Sequence, residues 1–206
     1  MEKTQIERTK TIKYKISKLI SRIFDVPVAA LVLLYLIWKN TPPGSSISRG
    51  YLIFGAFYLI IIPIILVILL IRVKVVDNWE LTNKDSRKYV YGLGFMTLAT
   101  MVILALFFNI PEYFTDFLIL GLVFISVFGL ITHFTKYKLS IHISIWTALI
   151  AYLAAVYNPG YLFLSPILVL IGYARFTIKN HTFMDMALAF LTVIIIVIGF
   201  FTFSDV

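Results

Sequence analysis

Residues 174–185 read A-R-F-T-I-K-N-H-T-F-M-D, and they join two long apolar segments of the chain. Arg175, His181 and Asp185 stand in this stretch in the pattern R-x5-H-x3-D. Residues four apart share one face of a helix. The Asp185 carboxylate is therefore expected to accept the proton of one imidazole nitrogen and to leave the other nitrogen free to attack. Because Arg175 adds a planar cation suited to phosphate oxygens, the triplet predicts phosphoryl transfer through a histidine nucleophile.

A second reading of this stretch stays open, because the whole chain has the composition of a membrane protein. Of its 206 residues, 61% are hydrophobic and only 14% are charged, and the charges are clustered between long uncharged runs. No soluble domain of this size needs so much apolar surface. In a membrane protein, the same residues can form a loop in which Arg175 snorkels to the interface and Asp185 starts a helix.

Charge and cysteine content narrow the classes of partner and site. The chain contains no cysteine, which excludes disulfides, thiolate metal ligands and cysteine nucleophiles. Its formal net charge is +8. The basic residues lie beside apolar runs, so anionic membrane lipids or a phosphate substrate fit this charge better than nucleic acid does.

The first 23 residues differ from the rest of the chain. They carry seven Lys or Arg, and apolar side chains recur between these at helical spacing, at Ile12, Ile16, Leu19, Ile20 and Ile23. This pattern predicts that residues 1–23 form a basic amphipathic helix on the membrane surface. Residues 24–206 are expected to form a single transmembrane domain.

The uncharged runs predict an all-α fold, a polytopic transmembrane bundle of six or seven helices. Seven candidate spans lie at about residues 19–38, 51–71, 89–111, 117–135, 140–157, 161–174 and 186–204. The first is the weakest, because only 13 residues separate Asp25 from Lys39, whereas a span usually takes about 20 residues. It is expected to begin near Leu19, and six spans remain if this segment only lies in the interface. Pro63 is expected to kink the second span.

The distribution of Lys and Arg predicts the orientation. With seven spans, the N-terminus and the loops after the second, fourth and sixth spans share one side and hold 16 of the 18 basic residues. Lys39 and Arg49 are the two on the other side. The positive-inside rule therefore predicts a multi-pass protein of the cell membrane whose basic side is cytoplasmic. This orientation depends on the first span crossing the membrane.

Three polar clusters fall on that basic side. One holds Lys74 and Arg87, and another is the sequence K-L-S-I-H, with Ser140 and His142 at the start of the fifth span. The third is the stretch 174–185. His133, near the end of the fourth span, is interpreted as a structural or interfacial histidine.

These clusters resemble the three motifs of the type-2 phosphatidate phosphatase superfamily, integral membrane lipid phosphatases that share their core with vanadium haloperoxidases. The third motif, Ser-Arg with a His six and an Asp ten residues after the Arg, matches with Ala174 in place of the Ser. The second, Pro-Ser-Gly-His, matches only at Ser140 and His142. The first, a Lys six residues before Arg-Pro, departs most, because Arg87 follows Lys74 after thirteen residues and no Pro follows it.

A prokaryotic branch of that family is more similar to this chain. It has a longer, acidic first motif and a K-I-S-x-H second motif. The stretches S-R-I-F-D-V-P (residues 21–27) and V-D-N-W-E-L-T-N-K-D-S-R (residues 76–87) also look like that branch.

The resemblance implies a role for each matching residue. His181 would attack phosphorus and form a phosphohistidine, Asp185 would orient it, and His142 would protonate the leaving lipid oxygen. The phosphate oxygens would be held by Lys74, Arg87 and Arg175, with Ser140 as a further donor. The nearby Arg72, Lys84 and Lys88 are alternatives for the role of Lys74. Since three fixed cations can take the place of Mg²⁺, no metal or other cofactor is expected. The substrate would be a lipid phosphate or a prenyl or polyprenyl diphosphate.

Two alternatives stay open. Asp77, Glu80 and Asp85 are compatible with a Mg²⁺-dependent membrane prenyltransferase, although the second aspartate-rich cluster that such an enzyme needs is missing from the sequence. The imperfect first and second motifs are compatible with a non-catalytic membrane binding protein.

Overall fold

In a computed structural model of the protein, the described residues are 2–40, 49–79, 83, 85–108, 110 and 112–203. These residues contain nine α-helices and no strand, so the predicted all-α fold is confirmed for the described part of the chain. The helices are α1 (Glu2–Ile23), α2 (Val26–Asn40), α3 (Arg49–Ala56), α4 (Ile62–Arg72), α5 (Arg87–Phe107), α6 (Glu112–Phe134), α7 (Ile141–Val156), α8 (Pro166–Thr177) and α9 (Phe183–Phe203).

Several of these helices are long and apolar enough to cross a membrane, which confirms a multi-pass membrane protein. Five segments meet that test within the described residues: Leu52–Arg72, Arg87–Phe107, Phe114–Phe134, Pro159–Thr177 and Phe183–Phe203. The number rises to six if α1 and α2 together form one bent span.

The segment predicted as the fifth span is α7, which has only 16 residues. A helix of that length is about 24 Å long, less than the roughly 30 Å of a bilayer's hydrocarbon core. Nine of its residues are buried, including Trp146, Tyr152 and Leu153. The helix packs against α2, α8 and α9. The short helix therefore forms the centre of the bundle and presents its N-terminal end to the polar residues around it.

The segment predicted as the first span, beginning near Leu19, is divided into two helices, and its crossing of the membrane stays a prediction. Helix α1 ends at Ile23 and α2 begins at Val26, with a bend of 42° between them. The Asp25 carboxylate accepts a hydrogen bond from the Val26 N–H at 2.8 Å, and the Asp25 carbonyl accepts from Val28 and Ala29. Because a side-chain acceptor at this place favours a new helix start, the chain begins a second helix here.

The kink expected at Pro63 takes the form of a π-helical turn. Residues Phe57–Ile61 form this turn between α3 and α4, directly before Pro63 near the start of α4. Proline has no N–H to donate to the preceding turn, and a wider turn there is a common way for a helix to absorb the irregularity. The segment nevertheless continues as one candidate span, Leu52–Arg72.

Helix α1 is the amphipathic element expected from the sequence, and its polar side packs on the bundle. It contacts α8, and Ser17 and Ser21 on it are buried. Ile12, Ile16 and Leu19 are each more than half exposed. The exposed apolar row is compatible with the predicted position on the membrane surface, which stays a prediction.

Candidate active site

His181 lies just before α9 and has one nitrogen fixed by the backbone. Its Nδ1 is 2.9 Å from the Lys138 carbonyl oxygen. A carbonyl can only accept, so Nδ1 carries the proton and donates. Its Nε2 is buried and has no hydrogen-bond partner among the described residues. With Nδ1 protonated, a neutral ring has its lone pair on Nε2, which is the arrangement a nucleophile needs.

Asp185 does not hold the imidazole, so the predicted direct His181–Asp185 contact is wrong. Its Oδ1 accepts the Lys138 N–H at 2.9 Å. Its Oδ2 accepts the N–H and the hydroxyl of Thr182, both at 2.9 Å, while the Thr182 Oγ1 accepts the Asp185 N–H at 3.2 Å. This reciprocal cap starts α9 at Phe183 and leaves His181 outside the helix. Asp185 therefore acts on His181 indirectly, by holding the Lys138 backbone whose carbonyl binds the ring.

Two buried arginines reach the same place from different helices. Arg175, near the end of α8, donates from one terminal nitrogen to the Ser21 hydroxyl at 2.8 Å. Arg87, the first residue of α5, donates to the Leu139 carbonyl at 2.8 Å. Each side chain is only 1% exposed. Both line one cavity together with His181, so the structure brings Arg87 and Arg175 together as the sequence predicted.

The third cation of this cluster is Lys138, to which the sequence motifs gave no role. Lys74 is exposed after the end of α4, where its backbone has a left-handed φ of 60°. The charges that act on His181 come from Arg87, Arg175 and Lys138. Lys138 is the first residue of the K-L-S-I-H sequence, four residues before His142. This position in the second motif is the feature of the sequence that could have identified it. The role predicted for Lys74 therefore fits Lys138 better.

Burial and mutual repulsion set the protonation of these groups. Burial first, and then the charges of Arg87, Arg175 and Lys138, hold the pKa of His181 far below its ordinary value. The imidazole is therefore neutral, as an attacking nitrogen must be. Burial, followed by repulsion from Arg87 and Arg175, lowers the pKa of Lys138 to about 8, although Asp185 opposes this shift. The Lys138 ammonium is charged at pH 7 and loses its proton at mildly alkaline pH.

His142, the second residue of α7, meets a carboxylate that the sequence motifs did not predict. Its Nε2 is 3.3 Å from Asp25 Oδ1, and Asp25 Oδ2 accepts the Trp79 indole N–H at 2.9 Å. Asp25 lies in the break between α1 and α2, 117 residues before His142. Residues 21–27, which include Asp25, resemble the prokaryotic branch, but this resemblance gave no role to the Asp25 carboxylate.

Ser140 is fully buried at the start of α7. Its carbonyl accepts from the N–H and the hydroxyl of Ser144, at 3.0 and 2.8 Å. Its own hydroxyl oxygen has no hydrogen-bond partner among the described residues. The hydroxyl is thus available as a donor, and its predicted contact with phosphate stays a prediction.

A cavity of about 330 Å³ connects these polar groups to the membrane-embedded part of the bundle. Its polar end is lined by Asp25, Arg87, His142, Arg175 and His181. Apolar side chains of α2, the π-helical turn, α4, α5, α6 and α7 line the rest. A cavity with one charged end and an otherwise apolar wall is suited to a ligand with an anionic head and a hydrocarbon tail.

The remaining candidates from the sequence lie away from this cavity or outside the described part. His133 is exposed near the end of α6, with its ring against Phe134 at 4.7 Å. Asp77 and Asp85 are exposed, and Glu80 lies outside the described residues. Residues 41–50, whose sequence T-P-P-G-S-S-I-S-R-G predicts a turn, lie mostly outside them too.

Compared with protein families, curated proteins and solved structures, the chain matches none of them.

Proposed function

We propose that this protein is a membrane lipid phosphatase that works through a phosphohistidine, as the resemblance to the type-2 phosphatidate phosphatase superfamily implies. One observation carries the proposal. Because Nδ1 of His181 donates to the Lys138 carbonyl, the lone pair of the neutral ring is on the buried Nε2. The ring lies at the polar end of a largely apolar cavity, where the charges of Arg87, Arg175 and Lys138 act on it. A neutral nucleophile surrounded by cations is the arrangement that phosphoryl transfer needs.

In the first step, the His181 Nε2 attacks phosphorus and an N–P bond forms. The bond between phosphorus and the lipid oxygen breaks, and its electron pair leaves with that oxygen. A protonated His142 gives its proton to the oxygen, so the lipid leaves as an alcohol or, from a diphosphate, as a monophosphate. The cations of Arg87, Arg175 and Lys138 hold the equatorial oxygens and offset the charge that spreads over them in the transition state.

In the second step, water hydrolyses the phosphohistidine. His142, now neutral, takes a proton from the attacking water. The N–P bond breaks, its electron pair returns to the His181 Nε2, and inorganic phosphate leaves. Both histidines are then in the states in which they began, so the cycle balances without a further reactant.

The shape of the cavity favours a lipid substrate. Its apolar walls fit a hydrocarbon tail, and its polar end fits a phosphate or a diphosphate. If the chain has seven spans, α7 is a short fifth span and α1 and α2 together form a bent first span. His142 and His181 would then lie on the side that holds most of the Lys and Arg residues. By the positive-inside rule this is the cytoplasmic face of the cell membrane. Such a site is less suited to recycling undecaprenyl diphosphate on the outer face.

The test is phosphate release by purified protein in detergent with EDTA. Farnesyl diphosphate, undecaprenyl diphosphate and phosphatidate would be offered to the wild type, to His181→Ala and to His133→Ala. We expect release by the wild type and by His133→Ala, because His133 lies away from the cavity, and none by His181→Ala. Release that disappears with EDTA would instead favour a Mg²⁺-dependent transferase. No release from any of the three lipids would contradict the proposal.

A further inference from the structure

We infer that Asp25 is a positioning residue for His142, and that the break between α1 and α2 exists in part to bring this carboxylate to the imidazole. The inference rests on the proposed function, in which His142 is the proton donor to the leaving oxygen. It adds a residue from the first membrane segment to a site otherwise built from α5, α7, α8 and the loops at their ends.

Asp25 contacts one ring nitrogen of His142, Nε2, and the second nitrogen, Nδ1, is left for the substrate. Asp25 Oδ1 is 3.3 Å from His142 Nε2. An ionised carboxylate only accepts, so Nε2 carries a proton and donates. The nitrogen left for the leaving oxygen is Nδ1, which can give up a proton only when the ring carries two. An adjacent carboxylate stabilises that doubly protonated ring and fixes its orientation.

The carboxylate is itself held by groups from three parts of the chain. Besides His142, Asp25 Oδ1 accepts the Val26 N–H at 2.8 Å, and Asp25 Oδ2 accepts the Trp79 indole N–H at 2.9 Å. Both oxygens therefore have fixed donors, and the carboxylate has little freedom to turn away from His142. A side chain locked in this way can orient a catalytic group to within a fraction of an ångström.

The break is also fastened directly to the helix that carries His142. The Trp146 indole N–H donates to the Phe24 carbonyl at 2.8 Å, and the two rings are in edge contact at 5.1 Å. Trp146 is four residues after His142 on α7, so both side chains are on one face of that helix. Two adjacent contacts, the Trp146–Phe24 hydrogen bond and the His142–Asp25 ion pair, fix the position of the break relative to α7.

A capping role alone would not need a charge, and this difference allows a test. Asn and Ser are both good helix-start residues, so Asp25→Asn and Asp25→Ser keep a cap while they remove the carboxylate. An asparagine has one acceptor oxygen for three donors, and its amide NH₂ must face at least one of them. A serine hydroxyl is too short to replace the carboxylate at His142. Both variants should therefore start α2 and leave His142 without its carboxylate.

The experiment is a double-mutant cycle on kcat with His142→Ala, using whichever of phosphatidate, farnesyl diphosphate and undecaprenyl diphosphate the wild type hydrolyses fastest. General acid–base catalysis contributes about 10²–10⁴-fold. We expect Asp25→Asn and Asp25→Ser to lower kcat by roughly 30-fold or more in the wild-type background and by less than about twofold in the His142→Ala background. Asp116→Asn, the same chemical change at the start of α6, is the matched control and should leave kcat unchanged.

The burst of 4-nitrophenolate in the first turnover of 4-nitrophenyl phosphate gives a second readout. This leaving group needs no proton, so Asp25→Asn should slow the burst by less than about threefold. If the losses in kcat from the Asp25 variants and from His142→Ala multiply in the double variants, the positioning role is overturned while the phosphatase proposal stands. The same holds if the Asp25 variants keep the wild-type kcat. A wild type that is inactive on every substrate would overturn both. If Asp25→Asn does not fold, the serine variant decides the question.

Discussion

The two histidines of the site, His181 and His142, have the same side chain but different partners. His181 donates from Nδ1 to the Lys138 carbonyl, while His142 meets the Asp25 carboxylate through Nε2. A carbonyl fixes the neutral ring in one tautomer and adds no charge to stabilise a second proton. A carboxylate supports the doubly protonated ring.

One residue type can therefore supply both a nucleophile and an acid in a single site. Burial, and then the charges of Arg87, Arg175 and Lys138, keep His181 neutral, and in our proposal these cations also bind the phosphate of the substrate. His142 has a carboxylate beside it, which favours a second proton on the ring, while burial and the charges of Arg175 and Arg87 oppose that proton. The surroundings of each ring, rather than its place in a motif, assign the roles in our proposal.

Removal of the nucleophile should reduce activity most. We expect His181→Ala to lower kcat by about 10⁵-fold, because no other group can form the covalent intermediate. His142→Ala should cost less, about 10²–10⁴-fold, since it removes only proton transfer. The measurement is phosphate release from the best lipid substrate at matched protein concentration. Equal losses in the two variants would break the division of roles between the histidines.

The next effect concerns the cations that keep His181 neutral. We expect Arg175→Lys to lower kcat/KM by about 10²-fold, because an ammonium cannot replace a planar guanidinium that holds phosphate oxygens and also donates to the Ser21 hydroxyl. The same change at the exposed Arg72 is the control and should leave kcat/KM unchanged. An Arg175→Lys protein that unfolds at the wild-type temperature and keeps full activity would contradict the phosphate-binding role.

A smaller effect is expected at Asp185, because its contact with the His181 ring runs through the Lys138 backbone. Asp185→Asn should lower kcat by about tenfold, far less than His181→Ala. It should also lower the free energy of unfolding by about 1 kcal/mol through the weakened cap with Thr182. Thr182→Ala is the matched variant, with a similar loss of stability and little loss of kcat. A loss at Asp185 as large as that at His181 would favour a direct Asp–His pair.

The smallest effect is a change in pH dependence. The pKa of Lys138 is about 8 in the free protein, and the charged form is the one that binds phosphate. Values of kcat/KM should therefore fall, by a few fold, as the pH rises through 8. Lys138→Arg removes this titration because a guanidinium stays charged, so its kcat/KM should stay level to at least pH 9. An alkaline fall that persists in Lys138→Arg would assign it to another group.

Much of this fold could be read from the sequence, because the membrane imposes a simple rule on apolar runs. The meeting of Arg87, His142, Arg175 and His181 was also predicted, through the resemblance. The direct Asp185 contact was wrong because spacing of four assumes an unbroken helix. Thr182 and Asp185 form a T-x-x-D pattern before an apolar run, which is a capping signal that predicts a helix start after His181.

Asp25 and Lys138 could not be assigned from spacing, for a physical reason. Asp25 lies next to His142 at the 42° bend between α1 and α2, where the Trp146 indole donates a hydrogen bond to the Phe24 carbonyl. In our proposal Lys138 takes the role predicted for Lys74, and its backbone N–H is held by the Asp185 carboxylate. Both arrangements depend on how separate helices pack, and local sequence patterns carry little information about that.

The chemical identity of the covalent intermediate tests the proposed phosphohistidine mechanism. Wild-type protein would be mixed with ³²P-labelled substrate, quenched in alkali within the first turnover, and digested to find the labelled residue and nitrogen. We expect phosphate on Nε2 of His181, because Nδ1 is held by the Lys138 carbonyl. Label on Nδ1, on His142 or on any other residue, or no label during rapid turnover, would contradict the account.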